Sequence, residues 1–284
     1  MRVDLPPVRI VSVGVVAPGL TDWSVARDVL TGRRAWTPAP LTVPPAGFLP
    51  ATERRRVGAT SLLALTCAMQ AMSAAPIDPA GAASVFASTD GDAENTHRIC
   101  LDLTESEPSL SPTRFHNSVQ NAASGYWSIL TGSRAPTTML TGEEATVAHA
   151  LLEAVMQVAA RAGPVLMVVY DLPMPEPLKA THPIEQGGAI SLLIDSGRGQ
   201  GAGLRIGVVP SGPAAAGAPD PVVAGVPSGP MAALARSHPI GPALPLLTFL
   251  SAGRPGRLAM RLDDRHALAV SVDAGALSDL PGAA

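Results

Sequence analysis

The alternation of apolar and polar positions along the chain predicts a layered domain of strands and helices. Short runs of β-branched and aliphatic residues that end at turn residues are typical of strands. Five such runs precede residue 195, at 8–16, 83–88, 136–141, 165–170 and 188–194. The last two are nearly continuous apolar runs, as expected of strands that are covered on both faces of a sheet.

Apolar positions at helical spacing predict helices between these strands. The expected helices cover 23–31, 52–75, 90–103, 118–130 and 143–162. The last of them begins with two glutamates, which the positive end of the helix dipole favours. Strands that alternate with helices in this way indicate the α/β class, with a largely buried central sheet.

The final third of the chain has a different character. Residues 197–230 are rich in Gly and Pro and are interpreted as a long loop or linker that contains one possible strand, LRIGVV at 204–209. Residues 231–284 are expected to form a short helix and a β-hairpin of 257–262 with 266–272, packed on the same domain. The main domain is therefore expected to cover 1–196.

Composition and charge exclude several functions. Twenty basic and 23 acidic residues give a net charge of −3, which argues against a general nucleic-acid binder because such a protein needs a basic face. Two cysteines and six histidines without zinc-site spacing predict no disulfide framework, no metal site and no cofactor. The apolar runs are far shorter than the roughly 18 residues of a membrane span and the N-terminus lacks a signal-peptide pattern, so we expect a cytoplasmic protein.

The stretch 111–132 concentrates unusual residues. They are Phe115, Tyr126 and Trp127, which are three of the nine aromatic side chains, and His116, Asn117 and Asn121. The interpretation that periodicity favours is a helix that packs its aromatic residues on the sheet, with the asparagines as caps. A functional site is the alternative.

A second candidate site is the junction between a strand and a helix at Glu143 and Glu144. Ligands and nucleophiles in open α/β sheets lie at the carboxyl ends of strands and at helix N-termini. The two carboxylates are candidates for an acid/base pair, although adjacent residues on a helix point in different directions. The alternative is that they only stabilise the helix dipole.

Three segments resemble the N-terminal-like β-ketoacyl synthase family, and specifically its short chain-length-factor members. Those proteins accompany a full ketosynthase in aryl polyene and related type II polyene biosynthesis. The segments are SPTRFHNSVQNAASGYWSILTGSRAPTT at 111–138, TGEEATVAHALLEA at 141–154 and PVLMVVYDLPMPEP at 164–177. The sequence ERRR at 53–56, before an apolar helix, also fits the family.

The resemblance implies a thiolase-like fold reduced to a single half of the N-terminal type, with α/β/α layers and a mixed sheet. It places Glu143, or Glu144 if the register slips by one, where a ketosynthase has its nucleophilic cysteine. A carboxylate cannot form the acyl thioester, so the resemblance implies no catalytic residue for condensation in this chain.

The function that the resemblance implies is a non-condensing partner of a full-length ketosynthase in polyketide, polyene or fatty-acid-like biosynthesis. The two subunits would form a heterodimer that shapes the tunnel for an acyl chain held on an acyl carrier protein. Two alternatives remain open. One is an independent acyl-processing enzyme, a decarboxylase or hydrolase that uses Glu143 or Glu144, and the other is a purely structural scaffold subunit.

By the same resemblance, two sets of residues are assigned to the heterodimer. The set expected at the acyl tunnel is Asp90, Ala93, Glu94 and His97, which would share one face of a helix. The set expected at the interface is Phe115, Asn117, Asn121, Tyr126, Trp127 and Thr138. A solvated polar face is the alternative for the first set.

Overall fold

The computed structural model describes residues 2–44, 47–196, 202–211, 234 and 239–273. Within these residues nine strands form one mixed sheet. They are β1 (Val3–Asp4), β2 (Val8–Val16), β3 (Ala83–Ala87), β4 (Thr137–Leu140), β5 (Val165–Asp171), β6 (Gly188–Ser196), β7 (Ala202–Pro210), β8 (Gly256–Arg261) and β9 (His266–Val272). Each of the five runs that the apolar pattern marked therefore forms a strand.

Eight α-helices accompany the sheet in the same described ranges. They are α1 (Trp23–Leu30), α2 (Ala51–Arg54), α3 (Ala59–Ser73), α4 (Ala93–Asp102), α5 (Pro112–Ser118), α6 (Ala122–Thr131), α7 (Thr146–Arg161) and α8 (Leu244–Ala252). None of the described helices combines the length and hydropathy that crossing a bilayer requires.

Two apolar clusters, one on each face of the sheet, give the α/β/α layering expected from the sequence. Helices α1, α7 and α8 pack in the first cluster, and α3 and α6 pack in the second. Successive side chains of a strand point to opposite faces of the sheet. Met167 of β5 therefore belongs to the first cluster, and its neighbour Val168 belongs to the second. Both faces are therefore covered, which explains why β5 is apolar along its length.

The strand order is β4-β3-β5-β6-β2-β7-β9-β8, with β1 paired to β7. Strands β4, β3 and β5 run parallel to one another, whereas the other pairs are antiparallel. The carboxyl ends of the three parallel strands consequently meet at one edge of the molecule. In the described sheet β4 is the terminal strand and pairs with β3 alone.

The described part of the C-terminal region continues the same sheet. Part of the segment 197–230, which was expected to be a loop or linker with one possible strand, forms the nine-residue strand β7, because it pairs with β2 and β9. Strand β8 pairs with β9 as a hairpin. The Asp263 carboxylate closes the hairpin turn by accepting hydrogen bonds from the backbone N–H groups of Arg265 (2.6 Å) and His266 (2.8 Å). The hairpin expected at 257–262 and 266–272 is present.

Two of the expected helices are interrupted by extended backbone in the structure. The helix expected over 52–75 is divided into α2 and α3, with extended backbone at Gly58. An added Cβ at Gly58 would lie 2.8 Å from Asp92 Oδ2. A residue with a side chain at this position would therefore clash with Asp92, whereas glycine allows the two segments to lie this close. The helix expected over 118–130 starts at Ala122, because Val119 is extended and separates it from α5.

Candidate functional site

The candidate site lies where the three parallel strands end. Strand β3 is followed by the loop Ser88–Asp92, β4 by Thr141–Glu143, and β5 ends at Asp171. Side chains at the carboxyl ends of adjacent parallel strands face the same edge of a sheet, where ligands of open α/β folds bind. These segments contact one another through a connected set of hydrogen bonds.

Asp171 holds the loop after β3. This side chain is fully buried, and its carboxylate accepts hydrogen bonds from the Ser88 hydroxyl (2.7 Å) and from the backbone N–H groups of Thr89 (2.9 Å) and Asp90 (3.1 Å). Burial raises the pKa of Asp171 to about 6, although these hydrogen bonds act in the opposite direction. The carboxylate is anchored by donors of one short loop rather than by a cation.

Thr89 connects this loop to the turn between β4 and α7. Its hydroxyl donates to the backbone carbonyl of Glu143 (3.3 Å) and lies 3.1 Å from the hydroxyl of Thr146. The Thr146 hydroxyl also donates to the Glu143 carbonyl (2.7 Å). The Thr141 hydroxyl donates back to the Thr89 carbonyl (3.3 Å), so the ends of β3 and β4 are fastened together.

The backbone at Glu143 is in the left-handed region, with φ of 51°. This conformation is unfavourable for a residue with a side chain. Residues Glu143–Ala145 form a 3₁₀ turn and α7 starts only at Thr146, so the helix expected from 143 begins three residues later. We name the segment Gly142–Thr146 the elbow.

The two glutamates of the elbow do not form a pair. Both are exposed, and Glu144 makes an ion pair with Arg261 at 3.4 Å. No hydrogen bond of the Glu143 side chain occurs within the described residues. The arrangement gives no support to the acid/base pair that the sequence left open.

The tunnel residues expected from the sequence do not share one helix face. Gly91 has φ of 63° and the Asp92 side chain caps α4 by accepting from the backbone N–H of Asn95, so α4 starts at Ala93 and Asp90 precedes it. The expectation of a helix that begins at residue 90 was wrong, because the turn at Gly91 and the cap at Asp92 precede the first helical residue. Asp90 instead contacts His182 Nδ1 at 2.7 Å.

The other three tunnel candidates have separate environments. Ala93 is buried, with 8% of its surface exposed. Glu94 pairs with Arg98 at 2.8 Å on the surface of α4, and His97 is half-buried. Of the four, only Asp90 lines the cavity that is described next.

A cavity of about 240 Å³ lies between the start of α3, the loop after β3 and the connection from α5 to α6. We name it the hydroxyl cavity. Its walls include Ser61, Ser88, Asp90, Asp92, Thr96 and Tyr170. Burial raises the pKa of Tyr170 and also that of Asp92. The phenol of Tyr170 therefore stays protonated at neutral pH.

The residues expected at an interface fall into two groups. Tyr126 and Trp127 are 1% exposed and belong to the chain's own core, so their side chains offer no area to a partner. The expectation fails for these two because α6 turns them towards the sheet. Asn117 is also buried, where it donates to the Arg56 carbonyl (2.6 Å) and accepts from the Tyr126 hydroxyl (3.0 Å).

The second group remains at the surface. Phe115 is 60% exposed, and Asn121 is exposed at the start of α6, where its side chain makes no capping hydrogen bond. Thr138 is half-buried on the terminal strand β4 and accepts from the Gln157 side chain (2.8 Å). These three positions are accessible to another chain.

Sequence reasoning missed the importance of Asp171, His182 and Tyr170. Asp171 directly follows the apolar run 165–170, and a carboxylate at the end of a strand buried on both faces is a signal that could have identified it. His182 gave no local signal, because its contact with Asp90 spans 92 residues.

The comparisons with known proteins agree with this geometry. The sequence profile of the β-ketoacyl synthase N-terminal domain matches residues 30–211. This match covers more than half of the chain, which therefore belongs to the β-ketoacyl synthase N-terminal domain family. No curated protein matches the sequence.

Solved structures show the same fold. A chain of the ketosynthase ApeO in complex with its chain length factor ApeC, from Xenorhabdus doucetiae, matches with a TM-score of 0.68 and 21% identity, over 93% of this chain and 98% of that one. A chain of the ishigamide ketosynthase/chain length factor matches with a TM-score of 0.65 and 13% identity, over 94% and 99%.

A third match comes from a carrier-protein complex. A chain of AntDE:AntF, a type II polyketide synthase acyl carrier protein in complex with its ketosynthase bound to the hexaketide, has a TM-score of 0.63 and 12% identity, over 97% and 100%. Each of the three chains is matched over nearly its whole length. The fold is thiolase-like, and the family resemblance seen in the sequence is confirmed.

Proposed function

We propose that this chain is a non-condensing, chain-length-factor-like partner of a full-length β-ketoacyl synthase. Family membership supports this function, as does the near-complete match to chains of ketosynthase complexes with chain length factors. The observation that carries the proposal is the elbow. Its residue with positive φ is Glu143, an exposed carboxylate at the position where the family resemblance expects the thiol nucleophile of a condensing enzyme.

The terminal strand β4 is the surface proposed for the partner. A terminal strand presents backbone N–H and C=O groups that a strand from another chain can pair with. Exposed apolar side chains lie on two helices in this region: Ile129 (54% exposed) on α6, which contacts the neighbouring strand β3, and Met156 (46% exposed) on α7, which contacts β4. The two helices belong to opposite layers, so apolar area is available on both sides of the strand.

The proposal includes an acyl carrier protein that presents the growing chain, which the AntDE:AntF match supports. Asp90, Ala93, Glu94 and His97 lie next to the hydroxyl cavity or on α4 beside it, and remain candidates for the wall of the acyl tunnel. We propose the cytoplasm as the location.

Co-expression with a full-length β-ketoacyl synthase from the same organism tests the proposal. We expect a heterodimer by light scattering, and condensing activity that depends on this subunit. A ketosynthase that is homodimeric and fully active alone would overturn the proposal.

Surface variants localise the contact. Ile129→Asp and Met156→Asp should each weaken the heterodimer by about tenfold or more, because each buries a charge against an apolar partner. Val3→Asp is the matched control, since Val3 is also exposed (44%) but lies on β1, which pairs with β7 far from β4 in the strand order. Equal weakening by all three variants would argue against β4 as the interface.

A further inference from the structure

A polar cluster on α7 lies against the terminal strand β4. The Gln157 side-chain amide donates to the Thr138 hydroxyl (2.8 Å) and to the Glu153 carboxylate (2.8 Å), and the Thr138 hydroxyl donates to the same carboxylate oxygen at 3.5 Å. Glu153 and Gln157 are one turn apart on α7, and Thr138 is the second residue of β4. The cluster therefore connects the helix to the strand at which we place the partner.

This cluster contains more hydrogen-bond acceptors than donors. Both amide N–H groups of Gln157 and the Thr138 hydroxyl are already engaged. The Gln157 Oε1 atom is buried without a donor. Within the described residues Glu153 accepts hydrogen bonds through Oε1 alone, and its Oε2 is not enclosed, so this atom can be reached from outside the chain. A donor for Oε2 has to come from outside the cluster.

The charge of the cluster favours a cation as that donor. Glu153 is half-buried and makes no ion pair within the described residues, so its negative charge is uncompensated. Met156 is 46% exposed and lies three residues further on α7, so the two side chains are neighbours on the helix surface. A chain that covers Met156 also covers Glu153, and a covered carboxylate loses hydration unless a positive group pairs with it.

The same charge disfavours pairing of this chain with itself. A symmetric dimer brings the same surface together from both copies, so β4 would lie opposite β4. Glu153 contacts Thr138 near the middle of this four-residue strand, so its carboxylate would lie near the two-fold axis and close to its own copy. Like charges repel in such an interface, whereas a basic side chain of a different protein is attracted.

We propose that Glu153 selects the partner that binds at β4. It pairs with an arginine or lysine side chain of the ketosynthase and opposes self-association of this chain. Thr138 and Gln157 are positioning residues, because they hold the carboxylate at the edge of the strand. The identity of the partner rests on the function proposed above, whereas the opposition to self-association involves only two copies of this chain.

The affinity of the heterodimer at two salt concentrations tests the ion pair. Glu153→Gln should weaken the complex about fivefold at about 50 mM NaCl and less than about twofold at about 500 mM, because salt screens the lost attraction. Glu153→Lys should weaken it about 50-fold at the lower concentration, and Glu153→Asp, which keeps the charge, should retain the salt dependence of the unmodified chain.

Asp264→Asn is the matched control for the loss of one carboxylate. Asp264 lies in the turn between β8 and β9, at the opposite end of the strand order from β4. Equal heterodimer affinities of Glu153→Gln and Asp264→Asn, with thermal unfolding confirming that both fold, would overturn the ion pair. If the unmodified chain forms no heterodimer, the proposed function and the named partner fail together.

Self-association of the chain alone is measured by sedimentation equilibrium. Glu153→Gln should self-associate about fivefold more tightly than the unmodified chain at low salt, and Asp264→Asn should not. Equal behaviour of the three proteins, including no self-association in any of them, would overturn the opposition to self-pairing. This measurement needs no partner, so failure of the role of Glu153 and failure of the heterodimer are observed separately.

Discussion

The Ser88 hydroxyl donates a 2.7 Å hydrogen bond to the Asp171 carboxylate, which joins the ends of two adjacent parallel strands across 83 residues of sequence. Thr89, the next residue, extends the contact to the Glu143 carbonyl in the elbow. The ends of β5, β3 and β4 are therefore one connected unit. A substitution at Asp171 should therefore alter the position of the elbow, although the two sites follow different strands.

The raised pKa of Asp171 predicts a pH-dependent stability. A carboxyl group whose pKa rises on folding favours the protonated form in the folded state, so its contribution is fully present below about pH 4 and is lost as the pH rises through 6. The difference corresponds to about 3 kcal/mol in the free energy of unfolding. Chemical denaturation at a series of pH values between 4 and 7.5 measures it.

The Asp171→Asn variant isolates this group from the other carboxyls. The difference between the two stability curves should fall steeply between pH 4 and 6 and be flat above it. Asp28→Asn is the control, because Asp28 is a partly exposed carboxylate paired with Arg33. A flat difference curve for Asp171→Asn would show that the buried carboxyl does not titrate in this range.

The left-handed backbone of Glu143 predicts an unusual response to glycine. Glycine relieves a conformation that is unfavourable by about 1–2 kcal/mol for other residues, which outweighs the entropy that it loses on folding. Glu143→Gly should therefore be about 1 kcal/mol more stable than Glu144→Gly, since among the described residues Glu143 and Ala162 are the non-glycine positions with positive φ. Thermal unfolding compares the two, and equal stability would argue against the strained elbow.

Two asparagines in the same stretch should differ in their effect on stability. Asn117→Ala leaves the Arg56 carbonyl and the Tyr126 hydroxyl without this partner, which should destabilise the fold by about 1–3 kcal/mol. Asn121→Ala should change stability by less than about 0.5 kcal/mol, because that side chain is exposed and does not cap α6. Urea denaturation distinguishes them, and similar values would mean that the Asn117 contacts contribute little.

Replacing Glu143 by its neutral isostere separates the partner function from an independent enzyme. Glu143→Gln should leave product formation by the complex unchanged, because a non-condensing partner needs no carboxylate at the elbow. A decarboxylase or hydrolase that uses this group would lose activity by about 10²–10⁴-fold. Glu144→Gln is measured in parallel, because the enzyme alternative includes either carboxylate, and unchanged products with both variants would exclude that alternative.

The sequence alone determined the elements and the family. The apolar runs at 8–16, 83–88 and 165–170 formed strands because β-branched residues on both sides of a pleat require cover on both faces. The sequence pattern determined the boundaries of the helices less well than it determined their presence. Gly58 and Val119 divide helical segments through contacts and backbone angles that periodicity does not encode.

Only the tertiary structure decided which polar residues form the site. Tyr126 and Phe115 look alike in the sequence, yet one is 1% exposed and the other 60% exposed, because that depends on the direction in which each helix packs. Asp171, Ser88 and Tyr170 meet because parallel strands bring their carboxyl ends to one edge of the sheet. Contacts over such sequence distances depend on strand order, which local propensity does not specify.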